Sequence, residues 1–171
     1  MQIETHPHAP FIPDTLKVLI MGSFPGRSTT LSDDPGNQWF YSARRNQFWK
    51  ILEKVFEKPL PDQETKSAVL SLHGIGIADI LLQITRLKDS NADQDLEIVT
   101  YNDKAIGDIL KRYPNVCVCF TSRFVEKHFK SLFPAHQHSI LLPSPSPRYA
   151  RLNLDQKAAL YKQILFFGVE K

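Results

Sequence analysis

Residues 37 to 49 concentrate five aromatic rings (Trp39, Phe40, Tyr41, Phe48 and Trp49), the adjacent pair Arg44 and Arg45, and the asparagines Asn37 and Asn46. Flat rings offer faces on which a nucleobase can stack, guanidinium groups offer charge for phosphates, and the Asn46 amide can orient a water or a base edge. The combination reads as a nucleic-acid site. The alternative is an aromatic loop running into an amphipathic helix, with Phe48, Trp49, Leu52, Val55 and Phe56 turned inward at helical spacing. That alternative accounts for Phe48 onward and leaves Trp39, Phe40, Tyr41 and the arginine pair to function.

The elements that would have to position these groups fit one domain. A chain of 171 residues, 42% hydrophobic and 11% aromatic, can bury a sizeable core of its own. No run of about 18 apolar residues is present to span a bilayer, and the first residues lack the basic and apolar regions of a secretion signal, so a cytoplasmic location is expected. Cys117 and Cys119 stand two apart, which places them on one face of a strand, where an intramolecular disulfide is not comfortable; they read as reduced core thiols. His136 and His138 lack partners at ligand spacing, so no metal is expected. The net charge of +3 is unevenly spread: residues 37–58 and 104–171 are basic, whereas 59–103 carry an excess of acids. A two-faced molecule with one basic side suited to a polyanion is the expectation.

Taken in order, residues 1–15 form an irregular lead-in, and the apolar run 16–21 is a buried strand stopped by Gly22. The turn-forming segment Gly22-Ser23-Phe24-Pro25-Gly26 allows close backbone approach, and a polar loop follows over 27–36. A helix is expected from about Asn46 to Phe56, and a second from an Asp62 cap through Leu72, closed by Gly74. A strand over 75–80 then leads into a polar, acidic segment over 83–99, exposed at 89–93. Asn102 or Asp103 caps the next helix, 116–120 is a strand, Ser122 begins a basic helix, 139–142 is a fourth strand, and the Pro-Ser run 142–147 excludes helix and central strand. Asn153 caps a last helix ending near Gly168. Alternating strands and helices predict an α/β fold, a three-layer αβα sandwich on a mainly parallel four-stranded sheet. In such sheets ligands sit beyond the carboxyl ends of the strands, where every unusual segment falls.

Gly22-Ser23-Phe24-Pro25, then Tyr41 and Arg45-Asn46-Gln47-Phe48-Trp49, then the segment 74–79, and finally the Leu142 to Pro147 run together resemble the uracil-DNA glycosylase superfamily. The likeness extends from about residue 16 to the last helix and is strongest to the hypoxanthine-DNA glycosylase branch, with a similar aromatic and Asn-x-Phe-Trp run in the mismatch-specific uracil glycosylases. The resemblance implies a DNA repair glycosylase, a monomer that needs no cofactor and removes hypoxanthine or uracil from DNA. It assigns Asn46 to catalysis; because an amide is no general base at neutral pH, Asn46 is expected to orient the attacking water. It places Gly22, Ser23, Phe24, Pro25, Tyr41 and Thr121 in the base pocket, with Tyr41 stacking on the flipped base.

Phosphate and strand contacts then fall to Arg44, Arg45, Ser122, Arg123, Ser144, Ser146, Arg148 and Tyr149, either of the last two being able to wedge into the vacated stack. This chain departs from the family pattern in three places. Phe24 stands where many relatives have a water-holding Asp or Asn, Leu142 where a His often stabilises the leaving base, and Thr121 where close relatives have a base-reading Asn. The structural alternatives are a helix cap for Thr121 and Ser122 and a rigid turn for the Pro-Ser run. In function, the alternatives are a DNA-binding module without catalysis and a nucleotide-binding α/β protein. The second lacks the required Gly-rich phosphate loop.

Overall fold

A computed structural model describes residues 1–31 and 39–167. Strands Glu4–Thr5 (β1), Val18–Gly22 (β2), Ile75–Asp79 (β3), Leu81–Arg86 (β4), Leu96–Tyr101 (β5), Cys117–Phe120 (β6) and Ser139–Leu141 (β7) are interleaved with helices. The helices are Arg27–Thr30 (α1), Phe48–Phe56 (α2), Gln63–Leu72 (α3), Asp103–Arg112 (α4), Arg123–Leu132 (α5) and Leu154–Phe167 (α6).

β2 is buried at every position, as an apolar strand covered on both faces must be. It lies between β3 and β6 in a parallel sheet of order β3-β2-β6-β7. Strand side chains alternate in direction, so Val18 and Ile20 enter one core with α2, α3 and α6. Leu19 and Met21 enter the other, with α4 and α5. The αβα sandwich therefore follows from helices on both faces of one sheet. Cys117 and Cys119 share the first face, buried and unbridged, as their spacing requires.

The expected helix starts hold at three places. Asp62 Oδ1 accepts the Thr65 amide at 2.7 Å, Ser122 Oγ accepts that of Val125 at 3.2 Å, and Asn153 and Gln156 exchange two bonds at 2.8 and 2.9 Å as a capping box. Gly74 takes φ +67° beyond α3, where a Cβ would stand 2.5 Å from the Thr15 carbonyl oxygen, so no other residue fits.

Other expectations are corrected. No strand is expected over the polar segment 83–99, yet β4 and β5 pair antiparallel on either side of 89–93, and β1 joins them in a second sheet of order β1-β4-β5. Leu81, Ile84 and Leu96 anchor this small sheet in the second core, while the acids between the strands occupy the connection and mask the pattern. The lead-in is ordered as well, through β1 and a bridge between Phe11 and Ile77. Part of the expected 27–36 loop is the short helix α1, and α2 begins at Phe48 instead of Asn46. Asn102 stands at the start of α4 without capping it; its amide donates instead to the Asp79 carbonyl at 3.1 Å. Asn37 and Gln38, residues 32–36 of the expected loop and the helix end at Gly168 lie outside the described residues. Among the described residues, no helix is long and apolar enough to cross a membrane.

Candidate active site

The carboxyl ends of β2, β3, β6 and β7 open into a cavity of about 860 Å³, within the range of small-molecule sites. After β2 it is lined by Ser23, Phe24 and Pro25, after β6 by Thr121 and Ser122, and after β7 by the loop Ser144 to Arg148. Tyr41, Arg45 and Asn46 close it from the segment preceding α2. Gly22 lies beneath, the register partner of Asp79 at the last positions of β2 and β3.

The rings divide differently from the sequence expectation. Phe40, Phe48 and Trp49 are buried in the first core and Trp39 packs against it. Trp39 stacks on Trp49 at 5.7 Å and 14°, and Trp49 Nε1 donates to the Phe40 carbonyl at 2.7 Å. These rings build a wall and are not stacking faces for bases. Tyr41 alone of the five lines the cavity.

Tyr41 adopts φ +57°, a strained conformation for a residue with a side chain, which turns its ring into the site. The ring stacks on Phe48 with centroids 3.9 Å apart. Its hydroxyl is buried and has no hydrogen-bond partner among the described residues. Burial first, and then the charge of Asp79, push its pKa up, so it stays a donor. Thr121 lies alongside; its hydroxyl donates to the Met21 carbonyl at 3.3 Å and keeps its acceptor lone pairs on the side of Tyr41. Facing the cavity, the Tyr41 hydroxyl can donate to whatever occupies it.

Beside it lies a pair that sequence reading missed. His6 Nε2 is 2.6 Å from Asp79 Oδ2, with both side chains almost inaccessible. His6 Nδ1 accepts the His8 amide at 3.0 Å and therefore carries no proton, which assigns the ring hydrogen to Nε2, pointing at Asp79. The imidazole thereby fixes one carboxylate oxygen and leaves Oδ1 toward Gly22 and Tyr41. The His-Pro-His lead-in showed no periodicity to mark it, and only the topology of β1 brings His6 to this edge.

The acidic segment is the second surprise. Asp93 receives the Ser23 hydroxyl at 2.6 Å and the Ser122 hydroxyl at 3.3 Å, tying the β4–β5 connection to the loops after β2 and β6. Burial raises its pKa against the pull of these hydroxyls, and nearby Asp79 adds to the rise. Asp79, Asp89, Asp93 and Asp95 all line the cavity, with Asp89 paired to Arg27 and Asp95 to Lys88. The expected separation into a basic and an acidic face is thus corrected at the site itself, which is rimmed by bases and lined by acids.

Asn46 Oδ1 accepts the Phe48 amide at 2.9 Å, a bond that holds the side chain at the mouth of α2. Its second lone pair and its NH₂ remain for a water or substrate. The Pro-Ser loop is braced from behind: the Gln47 amide donates to the Pro145 carbonyl at 2.9 Å and Tyr161 Oη to the Pro143 carbonyl at 2.7 Å. Ser144, Ser146 and Arg148 face the cavity. Leu142 is buried in the first core. Ser122 serves as both helix cap and Asp93 ligand, so the capping alternative describes Ser122 and not Thr121. Arg44, Arg123 and Tyr149 do not line the cavity; Arg123 faces Glu126 at 3.6 Å.

Gly22 shows how tightly this floor is built. A Cβ there would stand 2.6 Å from Tyr41 Oη and closer still to Asp79 Oδ1. Gly22→Ala is expected to displace both groups, lowering stability by about 1–3 kcal/mol. A thermal melt alongside a binding assay checks it, and a variant indistinguishable from the parent would contradict the packing described.

The parallel αβα sandwich thus carries, beyond the carboxyl ends of its strands, a cavity that joins an aromatic ring, an amide, carboxylates and exposed arginines. The sequence matches the model of the Uracil DNA glycosylase superfamily over residues 9–166, and the chain belongs to that superfamily. The fold is also that of the solution NMR structure of a "putative Uracil DNA glycosylase" from Methanosarcina acetivorans. The two share 17% identity at a TM-score of 0.69, over 95% of this chain and 99% of the other. No curated protein matches the sequence.

Proposed function

We propose that the protein is a monofunctional DNA N-glycosylase, acting as a monomer without a cofactor. It flips a deaminated base, hypoxanthine or uracil, out of DNA and hydrolyses the N-glycosidic bond to leave an abasic site. The observation that carries this reading is the Tyr41 hydroxyl standing beside the His6-held carboxylate of Asp79 at the cavity floor. Deamination creates a ring N–H beside a carbonyl, in hypoxanthine as in uracil. A carboxylate can only accept and a phenol can donate, so the pair matches that edge. Thr121 is a wall of the pocket with its hydroxyl turned to the backbone.

Hydrolysis requires a water at the sugar carbon as the bond to the base breaks. Asn46 orients that water through its free lone pair and NH₂, supplying position and not basicity. A carboxylate with a raised pKa is the better proton acceptor near neutrality, and its charge favours the cationic sugar of such transition states. Asp93 supplies this. Asp93 also favours catalysis over a binding module, because a carboxylate not needed to read the base edge repels a polyanion yet stabilises a developing positive charge.

Incubation of duplexes carrying one uracil or one hypoxanthine, followed by alkaline cleavage of abasic sites, tests the assignment. Scission at the lesion is expected; binding with no scission on either substrate would return the protein to the class of binding modules. On the same duplexes, Arg45→Ala and Arg148→Ala are each expected to lower the slope of log affinity against log salt by about one. Arg44→Ala and Arg123→Ala, away from the cavity, are expected to change it less. Equal effects at all four positions would move the DNA path off the cavity rim.

A further inference from the structure

Lys157, on α6, is 1% exposed, yet among the described residues no carboxylate is bonded to it. Its Nζ donates to Gln47 Oε1 at 2.8 Å and to the Ser146 carbonyl at 3.0 Å, and lies 5.5 Å from the centre of the Tyr149 ring. All three partners are neutral. Burial lowers its pKa, with no acidic neighbour opposing the shift. Burying an ammonium is unfavourable, and neutral dipoles satisfy its hydrogens without cancelling its charge. An apolar side chain of the same length would fill the space on α6 at lower cost, so packing does not explain a lysine here.

Its position does. Lys157 stands behind the loop Ser144 to Arg148, whose other side faces the cavity. The loop's amides are held only loosely: the Ser146 amide reaches Ser144 Oγ at 3.2 Å and the Arg148 amide reaches Ser146 Oγ at 3.3 Å. The same ammonium grips Gln47, whose own amide is bonded to Pro145 and whose chain neighbour is Asn46. One buried cation thus ties the loop that faces the strand to the segment that carries the water-orienting amide.

We propose that Lys157 is the internal counter-charge of a phosphodiester-holding loop and a positioning residue for Asn46, so that seating a phosphate of the flipped nucleotide and aligning the water are coupled through one ammonium. The proposal rests on the glycosylase reading for its catalytic half; its binding half does not. A phosphate on the cavity side of the loop supplies the missing negative charge, and the cation acts through the low-dielectric loop without touching it. Free protein carries the uncompensated charge, and bound DNA relieves it.

Lys157→Met and Lys157→Arg separate this from a plain structural tie. Lys157→Met keeps length and removes the charge. It is expected to melt within roughly 4 °C of the parent, because a buried charge is lost together with its hydrogen bonds. Its affinity for an undamaged duplex at low salt is expected to fall about tenfold, as loss of a close charge pair does, and its single-turnover excision rate at saturating DNA to fall about tenfold further as Asn46 loses its register. Lys157→Arg restores charge, and is expected to recover most of the affinity while leaving part of the rate deficit. A structural tie gives the opposite pattern, a large loss in melting temperature with normal binding and turnover by the folded fraction, and that result overturns the proposal. So does Lys157→Met with parental affinity and rate. If Lys157→Met does not fold, failure of Lys157→Arg to bind better than Lys157→Gln overturns it equally. Should the parent excise neither base while the affinity difference persists, the glycosylase assignment fails and the counter-charge stands.

Discussion

Replacing Asn46 with alanine is expected to lower single-turnover base excision by about 10²- to 10³-fold, the range seen when one preorganised polar group is removed from a transition state. DNA affinity is expected to stay within a few-fold of the parent, because one amide aligned on a water contributes to the barrier more than to the encounter. Geometry sharpens this expectation. Asn46 Oδ1 is already committed to the Phe48 amide, so alanine also frees the first turn of α2. The loss of that capping-type bond is expected to cost about 0.5–2 kcal/mol of stability. Asn46→Asp keeps the acceptor and loses the NH₂, and comparing it with alanine separates alignment of the helix start from contact with the water. Excision at parental rate by Asn46→Ala would remove Asn46 from the mechanism.

Tyr41→Ala carries the second large effect. The ring is stacked on Phe48 at 3.9 Å, with its hydroxyl buried at the floor. Truncation is therefore expected to cost about 3–5 kcal/mol of folding stability, as large aromatic deletions do, and to lose roughly another 1–3 kcal/mol of support for an extrahelical base. Tyr41→Phe isolates the hydroxyl. Because that group faces the cavity and makes no hydrogen bond to the protein that would be lost, its removal is expected to leave melting nearly unchanged. Excision by Tyr41→Phe is nonetheless expected to fall by about tenfold, one good hydrogen bond to the base carbonyl. Melting temperature and single-turnover rate measured on the same two samples decide the matter. Parental rate in Tyr41→Phe would remove the hydroxyl from base reading, and a parental rate per folded molecule in Tyr41→Ala would remove the ring as well.

How far the sequence reaches is clear from particular residues. The four parallel strands were legible because Val18 to Gly22 and its counterparts are short apolar runs bounded by Gly, Pro and caps, local signals that tertiary packing reinforces. Asp62, Ser122 and Asn153 were legible as caps because capping is settled within three residues. The hairpin β4–β5 was obscured because its strands border a run of acids, and net polarity over a segment conceals alternation within it. The roles of Trp39 and Phe40 went unread for a different reason. An aromatic ring carries the same label whether it stacks on a base or on Trp49, and only the path of the chain decides. His6, Asp93 and Lys157 depend on partners 73, 70 and 110 residues away, and no spacing rule spans such distances.

Those same separations govern when a nascent chain becomes able to act. His6 leaves the ribosome long before Asp79, and the strand that precedes it, β1, pairs with β4, which is made after Asp79. Gln47 waits still longer for Lys157. Contacts of such high contact order form late, because the closure entropy of the intervening loop must be met before they form. The His6–Asp79 floor of the cavity therefore assembles only after β4 has been translated, and the brace on the Pro-Ser loop only after α6 has been. A chain that ends before α6 lacks the helix on which the aromatic wall packs, so wall and loop alike wait for the last residues of the core.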